Sequence, residues 1–146
     1  MNPFFNEDHE DLRALAADFA EKTLAPLSEE IDQTDKYPQE VADQMAELGF
    51  FGIKIPEEYG GLGMDMRSYV CVMEEIAKKS AVSTLYISSA NSLSTAPIIL
   101  SGTEEQKQTY LPGVADGTSC IAFGLTEPGA GSDAGSLKTK AVEDGD

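Results

Sequence analysis

The chain has 146 residues, 41% hydrophobic and 25% charged, with 10 Lys and Arg against 26 Asp and Glu for a net charge of −16. That length fits one domain, or one domain and part of another, and suffices to bury a normal core. The acidity argues against nucleic acid, whose phosphates need Lys and Arg to release counterions, and against anionic membrane surfaces; it speaks to solubility, not to fold.

No basic leader followed by an apolar core opens the chain, so no signal peptide is expected. No run of about 18 apolar residues predicts a membrane span, and the expected compartment is the cytosol. Cys71 and Cys120 lie far apart without CxxC spacing and read as two reduced, buried thiols. The one histidine, His9, sits in an acidic opening run and reads as a solvated residue at a helix start, so no metal cluster is expected.

Leu12, Leu15, Ala16, Phe19, Ala20, Leu24 and Leu27 recur at steps of three and four, which predicts an amphipathic helix from about Glu7. Asn6 can cap it, and Glu7, Asp8, Glu10 and Asp11 suit the positive end of its dipole. Pro26 is expected to end or kink it, with a continuation through Ile31. A second helix is predicted over Pro38–Leu48, with Gly49 just past its end. Phe50–Ile55 reads as a short extended segment, and Pro56–Gly63 as a turn-rich loop in which Gly60 and Gly61 take backbone angles other residues resist.

Asp65 can cap a third helix whose apolar face is Tyr69, Val70, Met73, Ile76 and Ala77. A fourth covers about Val82 to Leu100. Its small polar residues, Ser88–Ser92, Ser94 and Thr95, allow close approach either of a neighbouring helix or of a ligand. Gly102 stops it, and Thr103–Gln106 is a capping box for a short fifth helix ending near Tyr110. Past Gly117 the composition changes. Cys120–Leu125 reads as a strand, Lys138–Val142 as a second, and Glu143–Asp146 as a hairpin turn. A hairpin needs a return strand, so the chain is expected to be the front of a longer protein.

Phe123–Asp133, FGLTEPGAGSD, carries the most chemistry. A strand leads into a polar loop whose glycines free the backbone amides to face a ligand, and such amides bind phosphate without Lys or Arg. Gly129-Ala-Gly-Ser-Asp-Ala134 formally fits the dinucleotide-binding pattern, but no helical pattern follows it, so that reading fails on context. In isolation the segment could equally be an ordinary turn.

The ordered series resembles the acyl-CoA dehydrogenase family over the whole chain. It comprises Ala25-Pro26 and Asp32; Glu47-Leu-Gly-Phe50; Ile55-Pro-Glu-Glu-Tyr-Gly-Gly-Leu-Gly63; Gly102-Thr-Glu-Glu-Gln-Lys107; Tyr110-Leu-Pro112; Leu125–Asp133; and Lys138-Thr-Lys-Ala141. The resemblance implies a mainly α fold: an N-terminal orthogonal helical bundle of five or six helices over residues 1–117, then, over 118–146, the first strands of a β-barrel-like middle domain. It implies an FAD enzyme that desaturates an acyl-CoA thioester, with an electron-transfer flavoprotein as electron acceptor and a homotetrameric assembly.

By that similarity Phe123, Leu125, Thr126, Gly131 and Ser132 bind FAD, and Ser132 also meets the CoA part of the substrate. Glu127 and Asp133 are structural. The catalytic base belongs to a C-terminal bundle that this chain lacks, and the Ser88–Leu100 helix lines the acyl pocket. An oxidase or monooxygenase of the same fold, or a catalytically silent helical interaction domain, are the competing expectations.

Overall fold

The computed structural model describes residues 4–145. Among the described residues seven α-helical segments are present: α1 (Glu7–Phe19), α2 (Ala25–Thr34), α3 (Gln39–Glu47), α4 (Met66–Ala77), α5 (Ala81–Ser88), α6 (Thr95–Ser101) and α7 (Glu104–Ala115). π-helical turns at Ala20–Leu24 and Ser89–Leu93 carry α1 into α2 and α5 into α6, so these segments form five rods. The fold is mainly α, with the helix number expected from the periodicity. No helix among the described residues is long and apolar enough to cross a membrane.

The first rod starts where the acidic run implied. The Asn6 side chain accepts from the His9 amide, and the Asn6 amide donates to His9 Nδ1, both at 3.0 Å. This capping box has histidine as its third member. His9 is not solvated, as its acidic neighbours suggested, but only 3% exposed. Because Nδ1 accepts, Nε2 carries the proton and lies 3.0 Å from Asp65 Oδ1. Asp65 also caps α4 through the amides of Arg67 and Ser68, so one carboxylate knots the starts of α1 and α4. The Ser68 amide, Arg67 and His9 together hold the Asp65 carboxyl well below the usual carboxylate range.

Pro26 does not end the first rod, which continues past Ile31 to Thr34. It occupies the first turn of α2, just after the π turn, where its missing N–H is least needed. The last helix likewise runs past Tyr110 to Ala115 with Pro112 inside it, and stops at Gly117, φ +78°. On α4 the buried positions are Ser68, Cys71, Val72, Glu75 and Ile76, whereas Val70 and Ala77 of the expected face are exposed. The face is turned because α4 packs between α1 and α5 and must also bury the polar contacts of Arg13.

Phe50–Ile55 forms successive turns instead of an extended run. The Leu62 amide donates to Gly52 O, and that of Met64 to Ile53 O. Gly60 adopts φ +84°, as a left-handed turn requires. Gly61 is needed for a different reason: a Cβ there would stand 2.0 Å from Ile55 O. The core forms where this turn meets the rods. Phe19 meets Phe50 edge to face at 5.8 Å, and Leu24, Met45, Ile53, Ile55, Ile76, Ile87 and Leu111 are fully buried. Each such side chain contributes about 1.5–3 kcal/mol relative to exposure.

No strand forms among the described residues. Cys120–Leu125 and Lys138–Val142, both expected as strands, are extended without ladder partners. A strand is defined by its partner, and neither segment has one here. Of the expected hairpin turn, Gly145 has φ +97° and Asp146 lies outside the described residues. Both thiols are free, but only Cys71 is buried; Cys120 is exposed on the extended segment.

Candidate cofactor site

The loop that carries the sequence motif is pinned at its base. Asp116 Oδ1 accepts from the Thr118 amide at 2.9 Å and its hydroxyl at 2.6 Å. Those contacts, the hydroxyl first, hold the Asp116 carboxyl below its ordinary value. The Ser119 amide donates to Gly113 O at 2.7 Å. Ser89, at the start of the π turn, donates its hydroxyl to Ile121 O at 2.8 Å. Beneath the latch lies Asn91, 1% exposed, which accepts from the Lys54 amide and donates to Phe50 O and Ile87 O. Small polar residues of the fourth rod therefore fasten the turn at 50–55 and attach the loop.

From Ala122 the chain leaves the helical body. Phe123 is 47% exposed and Leu125 42% exposed. Glu127 and Ala130 exchange both backbone hydrogen bonds, at 3.0 and 3.1 Å, around a Pro128-Gly129 turn. A short 3-10 turn follows at Ala134–Ser136, in which the Ser136 hydroxyl donates to Asp133 Oδ2. No helix opens after the glycines, which is why the dinucleotide reading does not apply. Glu127 closes the loop: its carboxylate accepts from the Lys138 amide at 2.9 Å, the Thr139 amide at 2.8 Å and the Thr139 hydroxyl. The Thr139 hydroxyl, then the two amides, hold the Glu127 carboxyl below the usual range. Glu127 is thus a structural staple and Asp133 a turn residue.

The five residues expected to hold FAD share this one loop. Thr126 and Ser132 are exposed, and among the described residues neither hydroxyl has a hydrogen-bond partner. A Cβ on Gly124 or Gly129 would meet nothing within 4 Å, and one on Gly131 only the Thr126 methyl at 4.0 Å. The donor set suits a flat, polar heteroaromatic group. Exposed apolar side chains can lie against a ring, hydroxyl and amide donors can meet its edge, and free amides can face phosphates without any basic side chain between Thr118 and Leu137.

A crevice runs under the base of the loop, between α3, α5, α7 and residues 117–121, with a volume of about 100 Å³. Phe51 and Tyr86 supply its aromatic walls. Neither was singled out by the sequence; their only signal was apolar character at helix and turn positions.

The family model for the acyl-CoA dehydrogenase N-terminal domain matches residues 6–118. The 3-(aryl)acrylate reductase of Clostridium sporogenes is 53% identical over 98% of this chain and 38% of its own length. The caffeyl-CoA reductase-Etf complex subunit CarC of Acetobacterium woodii is 51% identical over 98% of this chain and 38% of its own. A crystal structure of an acyl-CoA dehydrogenase complexed with FAD, from Bacillus anthracis, superposes with a TM-score of 0.84 at 33% identity, covering 94% of this chain and 24% of that one. The chain thus spans about 38% of the length of the two curated relatives.

Proposed function

The chain belongs to the acyl-CoA dehydrogenase family through its N-terminal domain, and from that premise we propose that it is the front of an FAD-dependent oxidoreductase acting on the α,β-bond of an acyl-CoA thioester. Residues 1–117 serve as the helical domain and 118–146 as the entry to a β domain. The observation that carries the cofactor assignment is the loop Phe123–Ser132, pinned through Ile121 and Glu127 yet exposed at Phe123, Leu125, Thr126 and Ser132.

In this reading bound FAD supplies the hydride exchange at the β carbon. Phe123 and Leu125 would offer exposed apolar side chains to the cofactor. Thr126 would supply a hydroxyl donor, and fixed donors of that kind stabilise the negative charge of a reduced flavin. Gly131 lets the backbone approach, and Ser132 orients both the cofactor and the CoA portion of the substrate. The α-proton is handled by a base outside residues 1–146, since the carboxylate nearest the loop, Glu127, already accepts from Lys138 and Thr139. The electron partner is an electron-transfer flavoprotein, in line with the Etf in the printed name of the second relative, and the assembly is a homotetramer.

A second reading is favoured by the names of the two relatives: the same centre run in reverse, reducing an aryl-substituted α,β-unsaturated thioester. The loop is tested by Thr126→Val and Ser132→Ala in the full-length protein, read as flavin retained per protein during dialysis. Each lost hydrogen bond should weaken FAD binding by up to about tenfold. Wild-type retention in both variants would remove the loop from the cofactor site.

A further inference from the structure

We infer that the π turn of the fourth rod is a register-dependent latch: Ser94, acting through Ser89, holds the base of the loop only while that turn keeps its π register. The turn spans Ser89–Leu93 and closes with the Ser94 amide donating to Ser89 O, five residues back, at 3.2 Å. The two side chains meet as well, with Ser89 Oγ and Ser94 Oγ 2.9 Å apart. A serine hydroxyl has one hydrogen to give, and Ser89 gives it to Ile121 O at 2.8 Å. Ser94 is therefore the donor between the two serines. The hydrogen bonds run in one direction, from Ser94 to Ser89 to Ile121 O, and so from a buried helix start to the chain that enters the loop.

This relay depends on register. Along an α-helix five residues turn about 500°, which would leave the two hydroxyls about 140° apart around the rod. A turn closed by i→i+5 bonds brings them to one side. Closing the turn to α would rotate α6 by about 100° and shift it by about 1.5 Å against α5, taking Ser94 away from Ser89. The π register also carries a cost beside the relay. Thr95 is wholly buried, and among the described residues its hydroxyl has no hydrogen-bond partner. An unpaired buried hydroxyl raises the energy of the register that holds it, and the rotation of α6 moves it out of that place. α6 is seven residues long and ends at Gly102, so it can turn as a unit. The latch rests on these hydrogen bonds; its bearing on the cofactor rests on the function proposed above.

Two residues before Ile121, the Ser119 amide donates to Gly113 O at 2.7 Å, which makes it a reporter of the latch. The test is hydrogen exchange by mass spectrometry on the full-length protein, read at that amide. Ser94→Ala removes one hydrogen bond and should speed exchange there about threefold to tenfold, with the helical circular dichroism retained. Ser89→Ala should speed it at least as much. Adding Ser94→Ala to Ser89→Ala should change nothing further, because Ser94 reaches the loop only through Ser89. Ser94→Thr keeps the donor and should exchange as wild type. Ser92→Ala removes a neighbouring hydroxyl that bonds within the rod, to Ser88 O at 3.1 Å, and should leave Ser119 unchanged. Wild-type exchange in folded Ser94→Ala, additive effects in the double variant, Ser94→Thr as fast as Ser94→Ala, or equal acceleration by Ser92→Ala overturns the latch. A full-length protein that retains no flavin sinks the proposed function while leaving the exchange result standing. A flavin retained, in a protein whose Ser119 exchange ignores Ser94→Ala, sinks this inference alone.

Discussion

Replacing Asn91 with alanine tests how the turn at 50–55 is fastened to the rod that latches the loop. The side chain is buried and makes three hydrogen bonds, of 2.9, 2.7 and 2.9 Å, to the Lys54 amide, Phe50 O and Ile87 O. Ile87 O is a helical carbonyl; the other two backbone groups lie in the turn and depend on Asn91. Leaving a buried backbone group unsatisfied costs about 1–3 kcal/mol, so Asn91→Ala should destabilise the protein by about 2–6 kcal/mol. For a domain of this size each kcal/mol moves the midpoint by about 2–4 °C, so the midpoint should fall by about 4–24 °C. Thermal and urea unfolding followed by circular dichroism read it directly. Asn91→Asp should be nearly as damaging, because the carboxylate keeps the acceptor for Lys54 but loses both donors. A midpoint within 2 °C of wild type, roughly 1 kcal/mol or less, would refute the assignment of these bonds.

Gly61→Ala places a Cβ 2.0 Å from Ile55 O and 2.5 Å from Ile55 Cβ, and should abolish soluble folded protein, whereas Gly129→Ala, in open space, should leave the unfolding midpoint unchanged. Glu75 bridges Lys78 at 2.6 Å and Arg13 at 3.2 Å, and those partners, Lys78 first, hold its carboxyl below the usual range. A depressed folded value gives stability that is present above the unfolded value near about pH 4.3 and lost as the pH falls through the folded one. Wild type should therefore lose stability below about pH 4, and Glu75→Gln should show a shallower decline in a pH series of unfolding midpoints. The two thiols should separate under a thiol reagent. Cys120 is exposed and reacts in the native protein, while burial pushes the Cys71 thiol up and Arg13 covers it at 3.2 Å, so it reacts only after unfolding. Two equally fast native thiols would contradict the packing of α1 on α4.

The helices were legible because their signals are local. Asn6, Asp65 and Thr103 each announced a cap, and the periodicity of Leu12 to Leu24 marked a core face. What stayed hidden depends on residues far apart in the chain. His9 looked solvated because its neighbours are acidic; only the approach of Asp65, 56 residues away, makes it a buried link. The buried face of α4 is turned from its apolar stripe because Arg13 of α1 brings polar contacts to Glu75 and Cys71. Pro26 reads as a breaker in the sequence, yet the π turn before it lets the first rod continue into α2. Cys120–Leu125 and Lys138–Val142 carry strand-like patterns, but among the described residues neither forms a strand. At the loop, the residue types were readable at once, whereas the Ser89 latch and the Glu127 staple, which give it its shape, needed the fold.

The most direct test of the proposed function is an anaerobic titration of the full-length flavoprotein. The account predicts that the oxidised flavin band bleaches on addition of a saturated acyl-CoA, and that the reduced enzyme recovers its colour with the matching α,β-unsaturated thioester. A protein that carries stoichiometric flavin and changes colour with neither would contradict it.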